Sequence, residues 1–392
     1  MADVTNYIDR LVAELCPDGV DFYTIDELIT LDFGTRITKS KDAGTIYPVY
    51  GGGGASFRTD NYNREDKYVV SRFAMSEKCV RYVSGKFWML DSGFTYSVKD
   101  ESLLSYKYIS YWLLNAQQEI YACSSQSAQR NLKTAEFKRF EVPVPPLEIQ
   151  EAIVEILDKF TNLEAELEAE LEARTLQYEY YRDSLFEALD CPRIPLGSFA
   201  QLVRGSGMPK TDFSESGVGA IHYGQIYTKF GTATAEVIAH VPEEKAKKLA
   251  VVNPGDVIVA NTSENLEDVC KAVAWVGDSD IVTGGHATVI KAPEQNAKFI
   301  SYYMATGQFN KDKRRHAFGT KVIDVAPKNL AKIEFPLPPL EEQQRIVDIL
   351  DRFDALTGSL SEGLPAELAA RRSQYEYYRD QLLTFPRKGE NQ

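Results

Sequence analysis

Four histidines (His222, His240, His286, His316) and five cysteines (Cys16, Cys79, Cys123, Cys191, Cys270) are the side chains best suited to hold a metal or act as nucleophiles. A metal site needs close ligand spacing such as C-x-x-C or H-E-x-x-H. The cysteines are scattered and the histidines form no such spacing, so free thiols in a reducing cytoplasm and structural or surface imidazoles are expected. There is no G-x-x-x-x-G-K-S/T phosphate loop, no N-P-P-Y amino-methyltransferase motif and no D-x-x-x-x-E-x-K nuclease pairing. In "GVGAIHYG" (217–224) His222 stands where a glycine fingerprint needs its third glycine. "GGGG" at 51–54 either lets backbone approach a phosphate or forms a flexible turn. A chain of 392 residues without a catalytic motif reads as a binder or scaffold, with no cofactor of its own.

Charge is unevenly placed. The net charge is −13, which by itself argues against nucleic acid. Residues 145–190 carry −10 of it and residues 338–383 carry −4, so the remainder sums to +1. Within that remainder, residues 39–90 hold nine Lys/Arg against five Asp/Glu. No apolar run approaches the 18 residues of a membrane span, and "MADVTNYIDRLVAEL" lacks the basic flank and apolar core of a secretory signal. A cytoplasmic location follows.

The two acidic segments are copies. "PPLEIQEAIVEILDKF" (145–160) and "PPLEEQQRIVDILDRF" (338–353) match at 11 of 16 positions, and "QYEYYRD" stands at both 177–183 and 374–380. "YISYWL" (108–113) pairs with "FISYYM" (299–304), and "YIDRLVAELCP" (7–17) resembles "YRDSLFEALDCP" (181–192). The chain is a tandem duplication that begins partway through a unit. Proline pairs punctuate the entry to each segment. Ile149, Ile153, Ile156, Phe160, Leu163 and Leu167 then alternate steps of four and three, the spacing of a coiled-coil seam. The first segment is read as one helix of about 60 Å. In the second, Gly358, Gly363 and Pro365 are expected to break it, with Ser361 or Glu362 capping a restart at Leu364. The intervening regions mix short apolar runs ("KYVVS", "GDVIVAN", "KAVAWVG", "HATVIKA") with helical stretches ("YKYISYWLLNAQQEIY", "AKFISYYMATGQF"). The predicted organisation is α+β: globules at 1–144 and 191–337, long helices at 145–190 and 338–385, and a disordered tail at 386–392.

"PPLE.Q..IV.ILD.F" followed by "QYEYYRD", twice, resembles the specificity subunit of type I restriction–modification enzymes, along the whole chain. The resemblance implies two target-recognition domains separated by two long helices that pair antiparallel with pseudo-two-fold symmetry. Each domain would read one half of a bipartite sequence on double-stranded DNA. Two modification (methyltransferase) subunits would dock on the helices and restriction (motor-nuclease) subunits would join them. S-adenosylmethionine, ATP and Mg would belong to those partners. A coiled-coil scaffold whose globules bind protein explains the acidic helices but not the basic bias of residues 39–90. An enzyme with an unrecognised motif would need activity in the isolated chain.

Base reading needs Arg, Lys, Asn, Gln or Ser on loops, with Lys and Arg on phosphates. In the first globule the candidates are Lys39, Lys41, Tyr50, Gly52, Arg58 and Asn61, followed by Arg64 and Arg72. "SSQSAQRN" adds Gln126, Gln129 and Arg130. In the second they are Arg204, Lys210, His222, Tyr223, Gln225 and Tyr227, followed by Asn261, Ser263 and His286. "KDKRRH" adds Lys311, Lys313, Arg314 and Arg315. On the helices, Tyr178 and Tyr181 share one face, as do Tyr375 and Tyr378. Tyr180 and Tyr377 face elsewhere, either toward a docked partner or, more simply, as part of packing within the chain.

Overall fold

The computed structural model describes residues 2–127, 129–357 and 363–389, with side chains described from Tyr7 onward and up to Asp354 before the break. The chain divides into two units, 1–166 with 370–392 and 167–369. Both the central helix Leu147–Glu187 and the distal helix Gly363–Leu382 contribute one end to each unit.

In the first unit the main sheet sets strand Ile29–Phe33 beside Gly93–Val98, then Arg64–Ser71, then Val80–Met89, all antiparallel. Strand Tyr47–Gly51 adds parallel to Val80–Met89 and turns back through Gly54–Thr59. In the second unit strand Gln201–Arg204 lies beside Ala287–Lys291, then Val257–Ala260, then Ala272–Trp275, again antiparallel. A short strand, Ala233–Thr234, adds parallel at the same edge. Taking each core in chain order, both units place their strands first, fourth, second, third. The duplication seen in the helices therefore extends to the sheets, where sequence similarity has faded. The second unit carries in addition a four-stranded sheet of its own.

Each globule is fixed to its helices by the same bonds. In the first unit the fully buried Gln150 accepts from the Ser105 N–H (2.8 Å) and donates to the carbonyls of Leu103 and Pro145. In the second unit Gln343, also fully buried, accepts from the Asn296 N–H (3.0 Å) and donates to Gln295 and the Pro338 carbonyl. Ser105 and Asn296 each precede a globule helix, Tyr106–Asn115 and Ala297–Met304. Asp158 accepts from Tyr111 Oη (2.6 Å) and pairs with Lys107, while Asp351 accepts from Tyr302 Oη (2.8 Å) and pairs with Lys298. Burial pushes the hydroxyls of Tyr111 and Tyr302 up, so both remain donors.

The recurring tyrosines pack as their spacing predicts. In the first unit Phe160 meets Tyr375 and Tyr378 (centroids 6.3 and 5.7 Å), and Arg372 pairs with Glu164. Numbers rise on one helix as they fall on the other, so here the two run antiparallel. In the second unit Phe353 meets Tyr178 and Tyr181 (6.5 and 5.7 Å). Tyr180 and Tyr377 remain 70% and 59% exposed.

Two expectations change. The expected seam is divided: Ile149 and Ile153 join Leu157 in the globule core, whereas Ile156 and Phe160 are half-buried and Leu163 is exposed. A helix of 3.6 residues per turn presents two faces here, one to the globule and one to the distal helix. Residues 386–388, expected to lie in a disordered tail, are bonded instead. Val20 donates to the Pro386 carbonyl, Lys388 donates back to Val20, and Arg387 pairs with Glu141. Residues 390–392 lie outside the described residues. So do Gly358, Ser361 and Glu362; the helices on either side are Leu340–Thr357 and Gly363–Leu382, and Gly363 opens the second with φ +74°.

Candidate nucleic-acid interface

One set of backbone hydrogen bonds stitches four loops together at the same end of each sheet. In the first unit Gly34 donates to the Gly93 carbonyl (3.2 Å), Arg72 to Ser92 (2.8 Å) and Leu132 to Arg72 (2.8 Å). In the second, Gly205 donates to Ala287 (3.0 Å), Asn261 to His286 (2.7 Å) and Val325 to Asn261 (3.0 Å). The first bond needs glycine. A Cβ on Gly34 would lie 2.2 Å from the Leu90 carbonyl oxygen, and on Gly205 2.0 Å from that of Gly284. The last loop closes as a hairpin in both units, through bridges Ser124–Leu132 and Phe318–Asp324. The backbone frame is shared, but the side chains on it differ. Loops held on a rigid sheet are where recognition residues are commonly carried.

In the first unit Lys39 and Lys41 stand exposed on a single helical turn, Lys39–Asp42, in the first loop. Arg58 and Asn61 flank it: Arg58 Nη1 donates to the Ile46 carbonyl (2.6 Å) and Asn61 is exposed. Gln126 and Gln129 project from the last loop. Arg72 and Arg130 sit on neighbouring strands of chain, since Met75 N–H donates to the Arg130 carbonyl as Leu132 does to Arg72.

Three first-unit candidates belong to the framework. Arg64 is half-buried, and its guanidinium donates to Thr95 Oγ1 and to the carbonyls of Asn63, Asp32 and Phe33. Gly52 is buried, with its Cβ direction 1.7 Å from the Phe73 carbonyl oxygen; it is small to admit the chain's own backbone, not a phosphate. Tyr50 packs edge-on against Phe87 (5.6 Å).

In the second unit His222, Tyr223 and His286 form a run of rings, with centroids 4.4 and 5.0 Å apart. Phe213 extends it beyond His222 (5.8 Å). His222 caps the helix Tyr223–Thr228, its Nδ1 accepting from the Gly224 N–H (3.1 Å), so the ring proton is on Nε2 when neutral. Burial, then Lys210 and His286, push its pKa down. His286 is exposed, holds φ +68° and bonds Thr262 Oγ1 through Nδ1 (3.1 Å). Lys210 is exposed, and Arg204 reaches toward Asp324 at 3.8 Å. Ser263 is half-buried beside the last loop, paired with Ile323.

Four second-unit candidates have internal tasks. Gln225 accepts from the His222 N–H to complete the cap. Tyr227 Oη donates to the Thr262 carbonyl. Asn261 is fully buried between Val325 and Thr288. Lys313 is 2% exposed and donates to the carbonyls of Glu267 and Val269, both at 2.7 Å; burial lowers its pKa. The basic run forms the end of helix Gly307–Arg314, where Lys311, Arg314 and Arg315 face outward while Lys313 turns in. Missed by composition were Phe318 and Val322, 65% and 59% exposed, on the hairpin equivalent to the one bearing Gln126–Arg130. The offset of 193 between the proline pairs aligns these hairpins and could have found them.

Among the described residues no group of three His, Cys, Asp or Glu side chains could hold a metal ion. No helix among them is long and apolar enough to cross a membrane.

Two tandem copies of a mixed α/β globule mounted on long helices define a class of paired recognition modules, and comparison with known proteins specifies it. The family model described as the type I restriction modification DNA specificity domain matches residues 17–173 and again 193–370. The chain is 32% identical over 308 residues to the type I restriction enzyme EcoR124I/EcoR124II specificity subunit of Escherichia coli, covering 74% of this chain and 73% of that one. A putative specificity subunit of Haemophilus influenzae is 25% identical, covering 93% and 96%. The crystal structure of the S subunit of a type I system from M. genitalium superposes with a TM-score of 0.55 at 18% identity, covering 93% and 95% of the two chains. A second solved chain, from work on assembly and conformational transition of the type I R-M system, gives 0.57 at 14% identity, covering 93% and 97%. The chain belongs to the type I restriction–modification DNA specificity family. It is a DNA-recognition subunit with two tandem recognition domains, and it is not itself catalytic.

Proposed function

We propose that each stitched loop edge reads one half of a bipartite target on double-stranded DNA, while the helices space the two readers and dock two modification subunits. The observation that carries this is the contrast within the duplication. The glutamine, aspartate and tyrosine bonds joining globule to helix recur in both units, and the loop edges keep the backbone but not the side chains. A shared frame with different side chains suits two readers of different half-sites. In this reading residues 1–144 and 191–337 hold the readers, and 145–190 with 338–385 form the docking helices. Tyr180 and Tyr377 are the exposed repeated pair that a modification subunit would cover. Restriction subunits join that assembly in the cytoplasm, and S-adenosylmethionine, ATP and Mg are held by the partners.

Near-neutral readers need help from partners to hold a polyanion. The isolated chain should therefore bind DNA weakly and transfer no methyl group. Methylation by the chain purified with the modification subunits encoded beside it, mapped by sequencing of modified bases, should give a two-part motif. Robust methyl transfer by the chain alone, or a one-part motif, contradicts the reading.

A further inference from the structure

Arg72 differs from the other arginines of the first unit's sheet. Its main chain is fixed on both sides by the bonds to Ser92 and Leu132. Its guanidinium lies over two phenyl rings, 5.0 Å from the Phe33 centroid and 4.6 Å from that of Phe73. Arg64 spends its donors on four oxygens, Arg81 reaches the Gly51 carbonyl at 2.6 Å, and Arg58 reaches that of Ile46. The guanidinium of Arg72 has no hydrogen bond or ion pair among the described residues. Stacking satisfies the faces of a guanidinium and leaves the N–H donors at its rim. It also holds the plane still, so less entropy is lost when the fork meets a planar pair of acceptors.

Three things therefore coincide at one residue: a fixed backbone, a clamped planar cation and unspent donors. They coincide on the loop edge, beside the hairpin that carries Gln126, Gln129 and Arg130. Arg130 repeats the pattern loosely, over Tyr121 at 4.5 Å with one long bond to Ser124 Oγ at 3.5 Å. The equivalent position of the second unit is different. Asn261, held by the equivalent bonds, is fully buried and its amide is occupied.

We propose that Arg72 is a specificity-determining residue that reads a guanine in the half-site of the first unit, its fork donating in parallel to O6 and N7. Guanine is the base that presents two acceptors side by side in the major groove. This rests on the reading that the loop edges contact DNA, and the test keeps the two apart. Methylated motifs would be mapped for the complete complex carrying the native chain, Arg72→Ala and Arg72→Lys. A two-part native motif speaks to the general reading, and exchange of residues 192–337 identifies which half belongs to the first unit.

The expectation is that this half contains a G·C pair. In both variants preference for it at one position should fall by about 5- to 150-fold, with the other half unchanged. Lysine keeps the charge but not the fork, so Arg72→Lys separates base reading from phosphate contact. A first-unit half without G·C overturns the proposal, and that result needs no variant. So does an unchanged motif in a variant that is merely less stable to heat, the result for a structural stack. So does a uniform loss of affinity in Arg72→Ala, with a shallower salt dependence restored by Arg72→Lys, the result for a phosphate contact.

Discussion

The junctions between globule and helix and the loop edges of the sheets have the same history of duplication and have fared differently. At the junctions Gln150 answers to Gln343, Asp158 to Asp351, Tyr111 to Tyr302 and Phe160 to Phe353, each with the same kind of partner. At the edges only backbone bonds correspond: Arg72 stands where Asn261 does, Ser92 where His286 does, and a polar hairpin where Phe318 and Val322 project. A fully buried amide with three partners tolerates little change, because each orphaned donor or acceptor costs free energy. A loop tip held through its backbone tolerates nearly any side chain. The difference locates what the protein keeps constant, its mounting, and what it varies, the loop edges proposed to read DNA.

The junctions can be broken in pairs. Gln150→Ala and Gln343→Ala each leave one backbone N–H and one or more carbonyls or amides buried without partners. Each should cost about 2–4 kcal/mol of unfolding free energy, equal within about 1 kcal/mol, as read by denaturant titration. A large cost at one and none at the other would mean the junctions are alike only in appearance. The exposed tyrosines should behave oppositely. Tyr180→Ala and Tyr377→Ala should leave thermal stability unchanged and weaken capture of modification subunits by about 1–2 kcal/mol each. Loss of stability without loss of capture would assign them to the fold.

Asp354 sharpens the comparison further. It stands where the first unit has Thr161, next to Asp351, Lys298, Tyr178 and Tyr302, and burial pushes its pKa up from 3.8, with Asp351 adding to the shift. A carboxyl whose folded pKa is raised binds protons more readily folded than unfolded. Its penalty is therefore fully present above the folded pKa and relieved as pH falls through it toward 3.8. Asp354→Thr should raise the melting temperature at pH 7, with the gain shrinking on acidification. A gain independent of pH would place the effect in packing instead. The smallest effect is expected at the basic run. Removing Arg314 and Arg315 together should weaken DNA binding for all sequences and reduce the salt slope by at most about 2. Both already face acids, Glu267 at 3.5 Å and Asp312 at 3.7 Å.

The helices were legible because their pattern is local: proline entry, heptad-like spacing and a repeated heptapeptide each specify structure within a few turns. The sheets were legible as strands but not as an order, since pairing Ile29–Phe33 with Gly93–Val98 joins segments some sixty residues apart that share no sequence mark. The site was legible by composition alone. Loop residues such as Lys39, Gln126 and His286 were chosen because they are polar in polar surroundings, and they do lie exposed. Arg64, Asn261 and Lys313 were chosen on the same ground and proved internal, because a buried donor facing carbonyls looks the same in sequence as an exposed one facing water. Phe318 and Val322 were passed over for the converse reason.

The central claim is that the two loop edges read DNA independently on a common mounting. Its most direct test replaces residues 192–337 with the corresponding region of another specificity subunit and maps the bases methylated by the resulting complex. The structure predicts that one half of the motif changes to that of the donor while the other half is retained. A motif changed in both halves, or in neither, would contradict it.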